Sequence, residues 1–173
     1  LSAIEASPGI DIRPARLDER AAAAEIAVSA FARLGAHLEP SERPKLFDRV
    51  RATTTCPEPG QTIVAVAGDQ VVGSLVYNGP GPGQHPKFPA DWAFLRSLGV
   101  DEAWTGQGIG RRLVEECVAR ARHEGAAWIG LYAADVNDIA VGLYRRMGFT
   151  VIGDAFPHWG VAYRVYGVDL SAG

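Results

Sequence analysis

Cysteine is scarce in this 173-residue chain, which has only Cys56 and Cys117, and methionine is scarcer still, with one residue. Neither cysteine has the paired spacing of a zinc site or a redox motif, so the sequence implies no metal. Cys117 falls inside a helical pattern and reads as a small buried hydrophobe. No apolar run approaches the roughly 18 residues that a membrane span needs. A basic surplus is missing too. The formal charge is −3 and the pI is near 5.8, whereas nucleic-acid binders usually carry excess cations to displace counterions from phosphates. The expected partner is therefore a small molecule or a protein. Leu1 to Ile10 shows no basic leader followed by an apolar block and does not begin with Met, so it reads as a processed or trimmed start, with the cytoplasm as the default compartment.

What the chain does have is an ordinary globular balance, 47% hydrophobic and 21% charged in 18.4 kDa, enough to close one core. We expect a single domain over residues 1–173. Ile10 to Arg13 alternates and precedes Pro14, as in a short first strand. Asp18 is placed to cap a helix whose apolar set, Ala21, Ala24, Val28 and Phe31, recurs at steps of three and four, with Glu19, Glu25 and Arg33 turned outward. A shorter helix is expected from Ser41 to Thr53 on Leu46, Phe47 and Val50, stopped by the threonine run before Pro57. Thr62 to Ala67 and Gln70 to Tyr77 flank Gly68-Asp69 and read as an antiparallel hairpin. Asn78 to Pro89 is too rich in Gly and Pro for regular structure and is either a loop bordering a site or a passive connector.

The pattern then changes to strand, turn, helix, strand, helix. Ala93 to Val100 is a strand, and Gln107 to Glu124 is an amphipathic helix with Ile109, Leu113, Cys117 and Ala121 on one face. Trp128 to Ala133 is a strand covered on both sides, and Asp138 to Met147 is a helix closed by Gly148. Phe149 to Ile152 and Val161 to Asp169 have strand composition, with Gly153 to Gly160 as the connector between them. The sum is a mixed sheet flanked by helices.

Two motifs carry chemistry. Thr105-Gly106-Gln107-Gly108-Ile109-Gly110-Arg111-Arg112 stands between a strand and a helix, where alternate glycines let backbone approach a ligand and free amides favour an anion such as a pyrophosphate. The alternative is a plain glycine-rich connector. No Lys-Ser or Lys-Thr follows the last glycine, and Arg111 stands where a dinucleotide fingerprint wants its third glycine, so neither ATP nor NAD fits. Coenzyme A is the remaining ligand class. One strand downstream comes Asn137-Asp138-Ile139-Ala140-Val141-Gly142-Leu143-Tyr144-Arg145-Arg146-Met147-Gly148-Phe149.

With both motifs in order, the chain resembles the GNAT acetyltransferases. The detailed match covers about Phe94 to Phe149; elsewhere only the order of elements agrees. The resemblance implies an α/β (α+β) fold with a mixed, mostly antiparallel central sheet, a splayed parallel strand pair and flanking helices. It implies acetyl-CoA as cofactor, an unidentified small-molecule or peptide amine as acceptor, and self-association into a homodimer as a possibility common in the family. Backbone amides of Gln107, Gly108, Ile109, Gly110 and Arg111 would cradle the pyrophosphate, with Arg111 and Arg112 supplying charge that Thr105, in place of the family's frequent Arg or Gln, does not. Leu98, Gly99 and Val100 form the strand end, on which Leu98 and Val100 would pair with the pantetheine arm. Asn137 would sit by that arm or cap its helix. Tyr144 would donate a proton to the departing thiolate as general acid, or else only pack against the sheet.

The base that deprotonates the acceptor is the gap, because the strand from Ala93 to Val100 has no acidic side chain. Asp91, His85, His158 and a water chain are the candidates. Arg96 is unusual in a central strand and would meet either an acceptor carboxylate or a structural carboxylate. With no Cys or Ser in an evident nucleophile motif, direct attack in a ternary complex is expected. The alternatives are a non-catalytic acyl-CoA-binding or sensor module and transfer of a longer acyl group.

Overall fold

Along Gln61–Ala67 (β2) the side chains serve two cores in turn: Ile63, Ala65 and Ala67 face one cluster and Val64 and Val66 the other. That period of two marks a strand covered on both faces. The computed structural model describes residues 9–172, so the stretch Leu1 to Pro8 of the leader reading lies outside the described residues. Among the described residues the sheet has seven strands. They are β1 (Ile10–Pro14), β2, β3 (Gln70–Asn78), β4 (Trp92–Val100), β5 (Trp128–Ala134), β6 (Thr150–His158) and β7 (Val161–Asp169), in the order β1-β2-β3-β4-β5-β7-β6. Every pairing is antiparallel except β4 with β5.

Helices cover both faces. Arg20–Ala30 (α1), Ala32–Gly35 (α2) and Arg43–Thr55 (α3) lie on one side, and Ile109–His123 (α4) and Asp138–Arg146 (α5) on the other. The inner face of α4 is Ile109, Leu113, Cys117 and Ala121, all buried at the expected spacing. The expected mixed, mostly antiparallel sheet with one parallel pair is thus present. So is the β2-β3 hairpin, turned by Gly68 at φ 59.

Several local expectations need correction. Asp18 caps nothing: Leu17–Glu19 is a single 3-10 turn, and Asp18 is an exposed partner of Arg16. Glu19 does not face outward. Its carboxylate is 8% exposed, takes two hydrogen bonds from Arg13 at 2.7 and 2.8 Å and accepts the Arg16 N–H at 2.8 Å. These donors, the Arg13 guanidinium foremost, hold its pKa at about 2, since hydrogen bonds and a nearby cation favour the charged form. The buried stripe of α1 is Ala23, Ala24 and Ala27, not Ala21, which is exposed. Methyl groups suit that stripe because α1 lies very close to β4: a Cβ on Gly99 would stand 2.9 Å from the Ala27 Cα.

Two further boundaries differ. α3 starts two residues later than expected, with Pro44 in its first turn, where no N–H is needed. It also runs through Thr53-Thr54-Thr55 rather than stopping there. Thr54 and Thr55 hydroxyls donate to the Val50 and Arg51 carbonyls at 2.9 Å each, a local bond that suits threonine to a helix's last turn. The expected connector Gly153 to Gly160 is mostly strand: β6 continues to His158 past a register break between Ile152 and Phe156. β6 is an edge strand, which is why Pro157 is tolerated in it.

Candidate active site

β4 and β5 are paired only from Trp92 to Phe94 and from Trp128 to Gly130. At the pinch, the Trp92 and Trp128 indoles stack with centroids 5.2 Å apart. Beyond it β5 goes on pairing with β7, while β4 stays with β3. The two strands therefore diverge, and a cavity of about 730 Å³ opens where they part. β4 also carries a bulge against β3 between Arg96 and Gly99, where Ser97 has φ 59. One extra residue bends the strand and re-aims its neighbours. Ser97, Leu98 and Arg96 all line the cavity.

The end of β4 has a donor to spare. Asp101 N–H donates to the Val72 carbonyl at 2.8 Å. The alternation of an antiparallel ladder then turns the N–H group of Val100 the other way, toward the gap. Gly99 faces α1 instead and is the residue whose missing Cβ permits the close approach described above.

From there the chain makes a short 3-10 turn, Glu102–Trp104, which Thr105 Oγ1 closes on the Glu102 carbonyl at 3.0 Å. Gly106 and Gly108 follow with φ 78 and 76, and a Cβ on either would meet only open space. The N–H groups of Gln107, Gly108, Ile109, Gly110 and Arg111 donate to no acceptor among the described residues, and the first helical bond of α4 is Arg112 N–H to the Gly108 carbonyl at 3.0 Å. The first turn of α4 carries no acidic residue. Five free donors at the positive end of a 15-residue helix form an anion cradle. The arginines beside it are occupied: Arg111 pairs with Glu115 at 2.8 Å, and Arg112 donates to the Ile10 carbonyl at 2.9 Å.

Tyr144 reaches the cavity from α5. It is 5% exposed and packs on Phe149, and burial pushes its phenol pKa well above the ordinary value. Asn137 also lines the cavity; it stands at the N-cap of α5, yet its side chain makes no capping hydrogen bond.

Of the candidate bases, Asp91 does not line the cavity, whereas His85 and His158 both do. The sequence offered these two as separate options, 73 residues apart (158 − 85). The fold sets them against one ring: Tyr132 lies 5.5 Å from His85 and 5.7 Å from His158, centroid to centroid. Burial, aided by nearby Lys87 among other cations, lowers the pKa of each imidazole below its usual value. Both are therefore predominantly neutral at pH 7. The Lys87 backbone N–H donates to His85 Nδ1 at 3.1 Å, so the neutral His85 ring carries its own proton on Nε2, which leaves His158 as the freer acceptor.

Arg96 has no carboxylate partner among the described residues, and its Nε is buried without a hydrogen bond. The reading of Arg96 as a structural ion pair is set aside on that ground. Sequence reasoning missed Arg49, Tyr132, Trp159 and Tyr163, which complete the wall. No local signal marked them, because each comes from a different element. Cys117 is fully buried away from the cavity, as expected of a packing residue. Among the described residues no group of three or more His, Cys, Asp or Glu could hold a metal, and no helix is long and apolar enough to cross a membrane.

The fold has close counterparts among solved structures. A GCN5-related N-acetyltransferase from Kribbella flavida superposes with TM-score 0.71 at 24% identity, covering 93% of this chain and 98% of that one. The PaiA N-acetyltransferase of Thermoplasma acidophilum, solved in complex with coenzyme A, gives 0.68 at 17% identity over 93% and 99% of the two chains. These likenesses define an N-acetyltransferase fold. The profile described as "Acetyltransferase (GNAT) family" matches residues 23–149, and the chain belongs to that family. Among curated relatives, the N-alpha-acetyltransferase RimI of Mycobacterium tuberculosis is 37% identical over 87 residues, which is 50% of this chain and 49% of the relative. The mycothiol acetyltransferase of Nocardiopsis dassonvillei is 39% identical over 54 residues, 31% of this chain and 16% of the relative. The chain thus spans less than half the length of these relatives.

Proposed function

We propose that the chain folds as one catalytic domain and is an acetyl-CoA-dependent N-acetyltransferase that passes the acetyl group directly to a primary amine. The observation that carries this reading is the run of five undonated N–H groups from Gln107 to Arg111, at a helix start where Gly110 lies against Val100 at the end of β4 and Leu143 of α5. Open space over Gly106 and Gly108 leaves room for a diphosphate to reach those donors. Acetyl-CoA supplies an activated thioester to the site.

The chain's own residues do the rest. The amides of Gln107 to Arg111 hold the diphosphate, and the Arg111 guanidinium adds charge by turning from Glu115. Arg112, already on the Ile10 carbonyl, ties the helix start to β1. Leu98 and Val100 N–H groups pair with the pantetheine arm and draw charge onto the acyl oxygen as it develops. The uncommitted side chain of Asn137 bonds the same arm. The amine nitrogen forms the new C–N bond as the C–S bond breaks. Its proton passes to the neutral imidazole of His158, directly or through one water; His85, whose Nδ1 already accepts from Lys87, is the second candidate only if that bond opens. Tyr144 donates its phenolic proton to the leaving sulfur. A phenol with a raised pKa is protonated throughout the physiological range, which is the state a general acid needs. Neither cysteine lines the cavity, which favours direct attack over a cysteine-bound acyl group.

The test is free-thiol release from acetyl-CoA across an amine panel, with initial rates varied in both substrates. Intersecting patterns are expected; parallel ones would overturn direct transfer. Absence of any calorimetric signal with CoA or acetyl-CoA on folded protein would overturn the cofactor assignment itself.

A further inference from the structure

Resting on the transferase reading, and deepening it, we infer that the acceptor is an amine that also carries a carboxylate, and that Arg96 selects it. Among the described residues three charged side chains line the cavity: Glu42, Arg49 and Arg96. Glu42 is not free, because its carboxylate takes a hydrogen bond from Lys45 at 2.8 Å. The two guanidiniums remain, and neither has a carboxylate partner among the described residues, although ion pairs occupy seven other arginines. The acceptor end of the cavity is therefore electropositive.

Arg96 is the sharper of the two. It belongs to the central strand β4 and stands immediately before the bulged Ser97. Burial lowers its pKa from the usual arginine value, and its Nε is sealed from solvent with no acceptor. A buried donor left unpaired is costly, and a guanidinium presents a planar fork that a carboxylate fills with two parallel bonds. A ligand carboxylate would thus supply what the protein withholds. Arg49, exposed on α3, adds attraction from the rim. Polycationic acceptors meet the opposite situation, two like charges and no free acid.

The remaining walls set the body of the ligand. Tyr132, Tyr163 and Trp159, with Leu46 and Val50, give the cavity an aromatic and aliphatic lining, while Arg96 and His85 both stand against the Phe94 ring. An apolar amino acid, with its amine toward the imidazoles and its carboxylate on Arg96, matches that layout.

The experiment uses matched pairs, L-phenylalanine with L-phenylalaninamide and a series of ω-amino acids with their amides, plus spermidine as a polycation. The acids are expected to exceed their amides in kcat/KM by about 10- to 100-fold, the range of a charged hydrogen-bonded contact. In Arg96→Gln that ratio should fall to near one with the KM for acetyl-CoA unchanged, and Arg96→Lys, which keeps charge but loses the fork, should lie between. Equal use of acids and amides, or preference for spermidine, overturns the inference. If no amine accelerates thiol release, the transferase reading fails separately, and calorimetry of the same pairs decides this one. Acid-selective binding lost in Arg96→Gln upholds it; binding without that selectivity, or none, overturns it. Circular dichroism melting of each variant excludes misfolding as the cause.

Discussion

The two ends of the gap between β4 and β5 are built from different material. The end beside α4 is made of backbone: five consecutive N–H groups, two glycines at positive φ and the open edge of β4, all within residues 98–111. The other end is made of side chains drawn from five separated segments, with Arg49 on α3, His85 in the Gly/Pro loop, Arg96 on β4, Tyr132 on β5 and His158 on β6. A backbone site tolerates sequence change provided its φ values survive, so it suits a ligand shared by a family. A side-chain site is rewritten by single substitutions and suits an acceptor that differs from member to member.

That contrast can be broken most sharply at Tyr144, a side chain from α5 that lines the cavity and is the proposed proton donor. Tyr144→Phe should lower kcat by roughly 10²- to 10⁴-fold, the usual range for a positioned proton donor, with acetyl-CoA affinity nearly unchanged. Full turnover at saturating acetyl-CoA would remove it as the acid. Next in size is Gly108→Val, which forces a β-branched residue to φ 76 and puts side chain into the open space over the cradle. Loss of CoA affinity of about 10-fold or more by calorimetry is expected, whereas Gln107→Ala, which keeps the amide, should change it by less than about threefold. Similar losses in both variants would mean that side chains, not main chain, make that end.

A smaller effect should come from the histidines. Their lowered pKa values predict that kcat for a fixed acceptor rises with pH through a limb centred below 6.5 and is flat above it. His158→Gln or His85→Gln should remove or move that limb, and a limb unchanged in both variants would assign the proton to water. Outside the gap altogether, Glu19 provides a control on the scaffold. Its folded pKa, about 2, lies below its ordinary 4.5. Its contribution, on the order of 3 kcal/mol, is therefore present above pH 4.5 and is lost as pH falls from 4.5 through 2. Urea melts of Glu19→Gln should show lower stability than the native chain at pH 7 and convergence toward it near pH 2, with kcat at pH 7 unaltered while the protein remains folded.

Much of the backbone end was legible in the linear sequence. A glycine at every second position before an amphipathic helix specifies both the positive φ values and the unmatched first-turn amides, and both are local properties. The Asn137 to Phe149 motif placed Tyr144 on α5 for the same reason. Legibility ended where chain segments meet. Glu19 looked like an outward charge because its partner, Arg13, sits on β1 across a turn; Ala21 looked inward because helical phase alone does not say which alanine faces Gly99. The continuation of β6 through Gly153 and Pro157 escaped notice because an edge strand tolerates residues that a central one rejects.

By itself, then, the sequence determined the order of elements, the hairpin, the inner face of α4 and the glycine turn, since each follows from periodicity or from φ preferences within a few residues. The tertiary structure alone decided that β4 and β5 part after Phe94 and Gly130, that Ser97 is bulged, that two histidines share Tyr132, and that Arg96 stays without a carboxylate. Those outcomes depend on which distant segments pack together, and burial, charge pairing and the shape of a cavity exist only once they have.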